Sequence, residues 1–414
     1  MKVFCLCMSL WLIYPFVSFT QVLVGLDRIF EEEPYYRSIR GCNIALISHN
    51  AAIDSKGNDT LTVLRAHTQE CCVKVLCTLE HGYYGSSPIE TPSYSISNSV
   101  GIRRVSLYGV KEFPKEALYD CDVLVYDVQD IGIRSYSFVT ALMQVVQAAE
   151  KYHKKLIILD RPNPMGGKLI DGPMPDVQLS YVPAIPYCYG MTPGELGLFF
   201  KKIYAPTADI LVVPMKGWNR SMTFEQTGLT WIPTSPQMPD AKTPFFYATT
   251  GILGSLSVAS IGVGYTLPFR LLGAPWMNGQ EVAQELNHMQ LPGIMFFPFC
   301  YEPFFGKYKM ELCSGVLLVL KDPKTFLPVE TFCTILGVLK TKYPKHVENA
   351  LYAVDRISAR RASICRILGD EEFLQICQKE RYIIWPLRKR CQEARERFQT
   401  LRASCLLSDY RESF

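Results

Sequence analysis

The chain has 414 residues, of which 48% are hydrophobic and 20% charged, the composition of an ordinary globular protein. Because this length exceeds the usual size of one domain, we expect two domains. The formal net charge of +4 is small for so long a chain, which argues against a nucleic-acid-binding protein. Small or wall-bound substrates remain open.

The N-terminus has the pattern of a secretory signal peptide. Lys2 precedes a mostly apolar run from Val3 to Val17, and the more polar residues 18–21 follow it. A retained membrane anchor is the alternative, but the run is shorter than the ~20 residues that cross a bilayer. We therefore expect residues 1–20 to be removed and the protein to be exported, periplasmic or secreted, with no stable membrane span.

The cysteines do not suggest a metal site. There are fifteen, and removal of Cys5 and Cys7 with the signal peptide leaves an odd number, so at least one thiol is unpaired within the chain. No spacing matches a zinc pattern. We interpret most of these cysteines as small buried hydrophobic residues.

The first half of the chain repeats a short β-branched run, a polar loop and a stretch with helical spacing. This is the pattern of β-α-β units in a parallel sheet. We predict a Rossmann-like α/β domain over residues 21–245. The predicted strands are Asn43 to Ser48, Val73 to Leu79, Val105 to Tyr108, Asp122 to Val128, Leu156 to Asp160 and Ile210 to Val213. The predicted helices lie near Thr60 to Thr68, Tyr136 to Tyr152 and Pro193 to Ile203.

The second half has a different character and predicts a smaller α+β domain over residues 246–414. It contains a strand-like run from Gly315 to Leu320 and a helix near Val329 to Tyr343. A basic stretch from Arg381 to Arg402 follows. We interpret this stretch as a helix with charges in water rather than as a wall- or membrane-binding face. Its predicted buried stripe is Trp385, Leu387, Phe398 and Leu401.

Polar side chains follow three of the predicted strands. In an open parallel sheet, ligands bind beyond the carboxyl ends of the strands, where the loops converge. The candidate site therefore lies at this edge. Its residues are Glu80 and His81 after one strand, Asp130, Arg134 and Tyr136 after another, and Asp160, Arg161 and Asn163 after a third.

These residue types suit the cleavage of a glycosidic bond, which needs a protonated acid and usually a second carboxylate. We assign Glu80 as the general acid or acid/base and Asp130 as the second carboxylate. The polar loop from Tyr83 to Arg104, long for a connection, is a candidate lid over Glu80. Glu195 is different, because Thr192, Pro193 and Glu195 form the pattern of a helix capping box, and we favour a structural role for it.

Other chemistries lack their motifs. There is no GxGxxG or GxxxxGK[ST] after the first strand and no GxSxG or HExxH, so nucleotide binding, a standard α/β-hydrolase and a zinc protease lose their main support. We expect no cofactor and no catalytic metal.

At these positions the chain resembles the exo-β-N-acetylmuramidase family. The similarity runs from about Gly25 to the C-terminus and includes six motifs in order. They are Leu79-Glu80-His81-Gly82, the stretch from Asp127 to Tyr136, Leu159 to Pro164 with Gly166-Gly167, Gly190 to Glu195, Ser235 to Pro239, and Pro268-Phe269 with Gly273 to Trp276.

The resemblance implies a cleft between a Rossmann-like domain and a smaller domain, release of terminal N-acetylmuramic acid, and Glu80 at the position of the family's proposed catalytic glutamate. Three positions depart from the family pattern: Leu79 replaces the common Pro, Gln237 replaces Asn, and Ser255 lies where many relatives carry Glu. The last puts a supporting acidic contact in doubt.

The sequence therefore predicts an exo-acting glycoside hydrolase that acts on fragments of the peptidoglycan glycan. A non-catalytic peptidoglycan-binding protein and a sugar hydrolase of other specificity are the alternatives. A buried lactyl carboxylate needs a cationic partner, so an arginine is expected to read it. Of Arg134 and Arg161, we favour Arg134. The stereochemical course is open, and assistance by the substrate's acetamido group is an alternative to a second carboxylate.

Overall fold

The computed structural model describes residues 21–86, 101–176, 178–179, 182 and 184–411. The predicted signal peptide, residues 1–20, and the central part of the candidate lid, residues 87–100, lie outside the described residues. Among the described residues, no helix is long and apolar enough to cross a membrane.

A six-stranded parallel sheet organises the first half of the chain. The strand order is β3-β2-β1-β4-β5-β6, and every neighbouring pair is parallel. This is the order of a Rossmann-like sheet, in which strands are added towards one edge from β1 to β3 and towards the other edge from β4 to β6. The strands are β1 (Asn43–Ser48), β2 (Cys72–Thr78), β3 (Arg103–Ser106), β4 (Val123–Asp127), β5 (Lys155–Leu159) and β6 (Ile210–Val213).

Helices cover both faces of this sheet. One face packs against the first three helices and the other against the next two, and both interfaces consist of buried aliphatic and aromatic side chains. The helices are α1 (Gly25–Arg28), α2 (Glu33–Ile39), α3 (Thr60–Ala66), α4 (Ser137–Lys151) and α5 (Pro193–Tyr204). The predicted α/β class and all six predicted strands are confirmed, with ends that shift by one or two residues.

The second half forms a smaller domain around an antiparallel sheet with strand order β7-β9-β8. Its strands are β7 (Leu271–Ala274), β8 (Ile294–Tyr301) and β9 (Cys313–Leu320). Its helices are α6 (Thr243–Leu256), α7 (Gly279–His288), α8 (Pro328–Lys342), α9 (Pro344–Ala353), α10 (Ser358–Leu368), α11 (Glu371–Lys379) and α12 (Ile384–Arg402).

The last helix, α12, is helical as predicted, but its buried stripe differs from the prediction. Trp385 is 77% exposed and Leu401 is 39% exposed. The stripe that faces the protein is instead Leu387, Cys391, Ala394, Phe398 and Arg402. The prediction was wrong at the two exposed positions because it grouped apolar residues by type, whereas the three- and four-residue spacing of one helix face selects these five.

The thirteen cysteines of the described residues are all unpaired, and ten of them are buried. Their burial among apolar side chains raises the pKa of several of the thiols, for example that of Cys71 to about 11. This agrees with the interpretation of most cysteines as small buried hydrophobic residues.

The capping box at the start of α5 is confirmed. Thr192 Oγ1 accepts a hydrogen bond from the backbone N–H of Glu195 at 3.3 Å, and Glu195 Oε2 accepts one from the backbone N–H of Thr192 at 3.2 Å. The fully buried Glu195 carboxylate also forms an ion pair with Arg220 and accepts from the backbone N–H of Leu407. Glu195 thus joins the helix to the C-terminal segment.

The substitution Glu195→Ala is expected to lower the free energy of unfolding by about 3–5 kcal/mol, because it leaves the largely buried Arg220 guanidinium without its carboxylate. Urea unfolding measures this loss. The control is Glu393→Ala, which removes an exposed ion pair with Lys389 and is expected to cost less than about 1 kcal/mol. Equal losses in the two variants would show that Glu195 has no special structural role.

Candidate active site

Glu80 lies just beyond the carboxyl end of β2, in a turn where His81 and Gly82 both adopt positive φ angles. Its side chain is 27% exposed. Ser137 Oγ, at the start of α4, donates a hydrogen bond to Glu80 Oε2 at 2.6 Å. His81 Nε2 lies 4.0 Å from Glu80 Oε1. One carboxylate oxygen is therefore held by the protein, and the other faces His81.

Glu80 lines a cavity of about 720 Å³ to which both domains contribute. The first domain supplies the carboxyl end of β2, the loop after β3 and one face of α4, and the second domain supplies α10. The described lining includes the charged side chains of Glu80, Lys111, Arg134 and Arg366 and the hydroxyl groups of Ser135, Ser137 and Ser363. Glu80 is the only acidic residue among the described residues of this lining.

The second domain also places a tyrosine near Glu80. Tyr247 lies on α6, and its hydroxyl is 3.4 Å from Ser135 Oγ, which in turn donates to the Tyr187 hydroxyl at 3.0 Å. Burial raises the pKa of Tyr247, and the negative charge of Glu80 raises it further. The Tyr247 hydroxyl therefore stays protonated at neutral pH, close to the carboxylate.

Asp130, predicted as the second carboxylate, is buried away from this lining. Its Oδ2 accepts hydrogen bonds from the Tyr189 hydroxyl and from the backbone N–H of Gly132. Its Oδ1 has no partner among the described residues. Burial raises the pKa of Asp130 to about 6, partly offset by these hydrogen bonds. The structure thus gives Asp130 a perturbed carboxyl group but does not place it on the cavity with Glu80.

Arg161 forms a buried ion pair. Its Nε and Nη2 atoms both donate to the Asp127 carboxylate, and Nη1 donates to the backbone oxygen of Ile53. Asp127 Oδ2 also accepts from Thr60 Oγ1 at 2.7 Å. Both side chains are almost fully buried. Through these hydrogen bonds the pair joins β4, β5 and the loop after β1.

Asp160 at the end of β5 is likewise occupied by the protein. Its oxygens accept hydrogen bonds from Thr192 Oγ1 and the Gly194 backbone N–H, both at 2.7 Å, and from the Tyr410 hydroxyl at 2.5 Å. Burial raises the pKa of Asp160 to about 7, although the hydrogen bonds act in the opposite direction. Asp160 therefore anchors the start of α5 and the C-terminal segment.

Asn163 and Tyr136 hold loops together. Asn163 donates to the backbone oxygen of Met191 at 3.1 Å and packs against Gly132, where an added Cβ would lie only 2.4 Å from the Asn163 side chain. This close approach requires glycine at position 132. The Tyr136 hydroxyl is 3.0 Å from Thr234 Oγ1.

Arg134 lines the cavity, but its guanidinium group is buried among backbone oxygens. It donates to Pro173 and Ile185 in the first domain, at 3.2 and 2.9 Å, and to Ile367 and Leu368 at the end of α10. Burial lowers the pKa of Arg134 to about 10, so it remains charged at neutral pH. These contacts favour a role in joining the two domains.

Of the predicted site residues, Glu80, His81 and Arg134 lie at or beside the cavity. The other five, Asp130, Tyr136, Asp160, Arg161 and Asn163, form buried networks behind it. The roles predicted for these residues stay predictions. The ion pair of Arg161 with Asp127 argues against its binding a substrate carboxylate, whereas the buried Nε of Arg134 has no hydrogen-bond partner among the described residues.

Sequence reasoning missed Ser137, Tyr247 and Arg366. Ser137 directly follows a recognised motif at the predicted start of a helix, which was the available signal. Tyr247 and Arg366 belong to the second domain, and no local pattern links them to Glu80. No group of three or more metal-ligating side chains was found in the part of the chain that the structure describes.

The fold and the site together define a two-domain α/β protein whose interdomain cavity contains one carboxylate, Glu80, among the described residues of its lining. The chain belongs to the exo-β-N-acetylmuramidase NamZ family: the N-terminal family profile matches residues 44–242 and the C-terminal profile matches residues 245–407. A peptidoglycan β-N-acetylmuramidase of Bacillus subtilis strain 168 is 33% identical over 334 residues, which are 79% of this chain and 80% of the relative.

Solved structures show the same fold. A DUF1343 family protein of Bacteroides fragilis superposes with a TM-score of 0.84 at 32% identity, covering 94% of this chain and 99% of the other. A second protein of that family from the same organism has a TM-score of 0.68 at 22% identity, covering 95% and 100% of the two chains, and supports the fold alone.

Proposed function

We propose that this chain is an exo-acting glycoside hydrolase that releases terminal N-acetylmuramic acid from fragments of the peptidoglycan glycan. The observation that carries the proposal is the partly exposed Glu80 in a cavity between the two domains of a chain of this family. The name of the B. subtilis relative, a peptidoglycan β-N-acetylmuramidase, supports the same substrate class.

Glu80 is the general acid in this proposal. Because Ser137 donates a hydrogen bond to Oε2, a proton carried by Glu80 resides on Oε1. That oxygen is not engaged by Ser137 and can approach the glycosidic oxygen. Transfer of this proton in the transition state stabilises the departing sugar alcohol, the usual task of the acid in glycoside hydrolysis.

The second chemical role falls to the substrate. A retaining or inverting pair needs two carboxyl groups on the same cavity, and the described lining contains only Glu80. N-acetylmuramic acid carries a 2-acetamido group whose carbonyl oxygen can attack its own anomeric carbon. Such assistance by the substrate removes the need for Asp130 as a nucleophile. Water then opens the resulting ring at the anomeric carbon and gives a proton to the Glu80 carboxylate, which restores the acid.

The first test is the substitution Glu80→Gln. It keeps the hydrogen-bonding shape of the side chain but cannot supply the proton, so kcat is expected to fall by about two or more orders of magnitude. The substrate is a defined disaccharide with N-acetylmuramic acid at its non-reducing end, and mass spectrometry identifies the released sugars.

The matched control is Glu116→Gln, an exposed glutamate outside the cavity, which should keep normal turnover. Near-normal turnover by Glu80→Gln would remove Glu80 from the mechanism. Absence of turnover by the unsubstituted protein would favour a non-catalytic binding protein, and a different released sugar would favour another specificity.

The size of the cavity predicts action at chain ends. Its volume of about 720 Å³ is in the usual range for sites that enclose one small molecule, about 300–1,000 Å³. Glycan strands blocked at their non-reducing ends should therefore resist cleavage, whereas unblocked strands should release monosaccharides from the outset. Size-exclusion chromatography checks this, and early appearance of mid-length fragments from blocked strands would indicate an endo-acting enzyme.

We also propose export of the protein across the bacterial inner membrane. The basic start at Lys2 and the apolar run from Val3 to Val17 support it. The expected mature protein begins near residue 21, which N-terminal sequencing of material from the native host measures. A mature chain that still begins with residues 1–17 would contradict cleavage.

A further inference from the structure

We infer that a second pocket, beside the turn that carries Glu80, binds the sugar that leaves the glycan, and that Asn50 and Tyr84 are its main contacts. In peptidoglycan the sugar that follows N-acetylmuramic acid is N-acetylglucosamine. The inference rests on the proposed function, because a leaving sugar exists only if Glu80 cleaves a glycosidic bond. It gives a place to the part of the substrate on the other side of that bond.

The pocket lies entirely in the first domain. It is lined by the loop after β1, the beginning of α3, the turn after β2 and the side chain of Ile232. Its volume is about 320 Å³, close to the lower end of the range for sites that enclose one small molecule, about 300–1,000 Å³. The pocket is therefore large enough for one sugar ring.

The pocket adjoins Glu80 through the backbone. β1 and β2 are neighbouring parallel strands, so Asn50, just after β1, and Glu80, just after β2, lie at the same edge of the sheet. The backbone N–H of Asn50 donates to the backbone oxygen of Tyr83 at 2.8 Å, and a hydrogen bond of 3.0 Å from Gly82 N–H to the Leu79 oxygen closes the turn. Glu80 lines the cavity and Tyr83 lines the pocket, so this one turn separates the two.

The chemistry of a general acid requires a second site beside Glu80. The acid must contact the oxygen that joins two sugars, with the terminal sugar on one side of it and the leaving sugar on the other. In the proposed function the terminal sugar occupies the cavity. The pocket lined by Asn50 and Tyr83 borders the turn of Glu80, whereas the pocket lined by Asp370 and Arg390 does not. The leaving sugar is therefore assigned to the pocket at Asn50.

Asn50 provides an unsatisfied acceptor in the wall of this pocket. Its Oδ1 atom is buried and has no hydrogen-bond partner among the described residues. A buried acceptor without a partner is costly, so a ligand donor that reaches it is favoured. The hydroxyl groups and the acetamido N–H of N-acetylglucosamine are such donors. Asp59 is already occupied, because it accepts from the Tyr83 hydroxyl and from Thr62.

Tyr84 provides an aromatic ring that a sugar can cover. Its side chain is 67% exposed, and its ring meets that of Tyr83 edge-on with 5.3 Å between the centroids. Tyr83 is itself fixed by its hydroxyl bond to Asp59, so the ring of Tyr84 rests on a held neighbour. The C–H groups on one face of a pyranose ring stack on such a ring. Arg65, exposed on α3, lines the same pocket and adds hydrogen-bond donors for hydroxyl groups.

The test compares two substrates that differ only in the leaving group. The disaccharide of N-acetylmuramic acid β-linked to N-acetylglucosamine fills the pocket, and the methyl β-glycoside of N-acetylmuramic acid leaves it empty. Both release the same sugar, which mass spectrometry quantifies, so one readout gives kcat/KM for both. Where the methyl glycoside reacts too slowly, its inhibition constant against the disaccharide takes the place of kcat/KM. The proteins are the unsubstituted chain, Asn50→Ala, Tyr84→Ala and Tyr84→Phe.

We expect Asn50→Ala and Tyr84→Ala each to lower kcat/KM on the disaccharide by about 10-fold, the scale of one hydrogen bond or one aromatic contact. On the methyl glycoside each should differ from the unsubstituted chain by less than about 3-fold, because the contacts of the pocket are not used. Tyr84→Phe keeps the ring without the hydroxyl group, and its activity on the disaccharide should fall between those of Tyr84→Ala and the unsubstituted chain.

The matched controls are Asn349→Ala and Tyr119→Ala, which remove exposed side chains of the same types outside the pocket and the cavity and should leave both substrates unaffected. Equal losses on the two substrates would overturn the inference, as would no loss on the disaccharide. Absence of disaccharide turnover by the unsubstituted chain would instead contradict the proposed function. Thermal unfolding identifies a loss that arises from misfolding, and if Asn50→Ala misfolds, the exposed Tyr84 decides the question.

Discussion

The buried guanidinium group of Arg134 is the constraint on which the arrangement of the site depends. Among the described residues no carboxylate lies within hydrogen-bonding distance of it, and its Nε has no hydrogen-bond partner. Its Nη atoms instead donate to backbone oxygens of both domains. Two of these, at Ile367 and Leu368, belong to the end of α10, where the helix dipole is negative. Because burying an arginine without such acceptors is costly, these contacts favour the arrangement in which α10 and Glu80 line the same cavity.

The strand ends carry two kinds of polar residue. Asp127, Asp160 and Arg161 are buried and satisfy one another or nearby helix starts, so they stabilise the loops on which the site is built. Glu80 is different, because one of its oxygens is held by Ser137 while its side chain remains partly exposed. The distinction depends on solvent access, and it separates the residues that support the site from the one available for chemistry.

The sequence predicted the sheet well because six β-branched runs alternate with helical stretches, a local pattern. It also located Glu80, since a charged residue that directly follows a buried strand of a parallel sheet must lie at the binding edge. It could not separate Glu80 from Asp160 or Arg161, whose partners Tyr410 and Asp127 are distant in sequence. The exposed Trp385 was misassigned for a different, local reason: the prediction grouped apolar residues by type and did not follow the three- and four-residue spacing of one helix face.

Local sequence patterns also could not show what the second domain contributes to the site. Tyr247 on α6 contacts Ser135 of the cavity lining, and α10 lines the same cavity, so neither helix contributes to the site unless the domains are assembled. The carboxylate proposed to perform the chemistry therefore lies on the first domain, and the second domain supplies α10 as part of the same cavity. A substitution of Arg134 would therefore act on the shape of the cavity without touching Glu80, because it would remove the hydrogen bonds to the end of α10 while leaving Glu80 bound to Ser137.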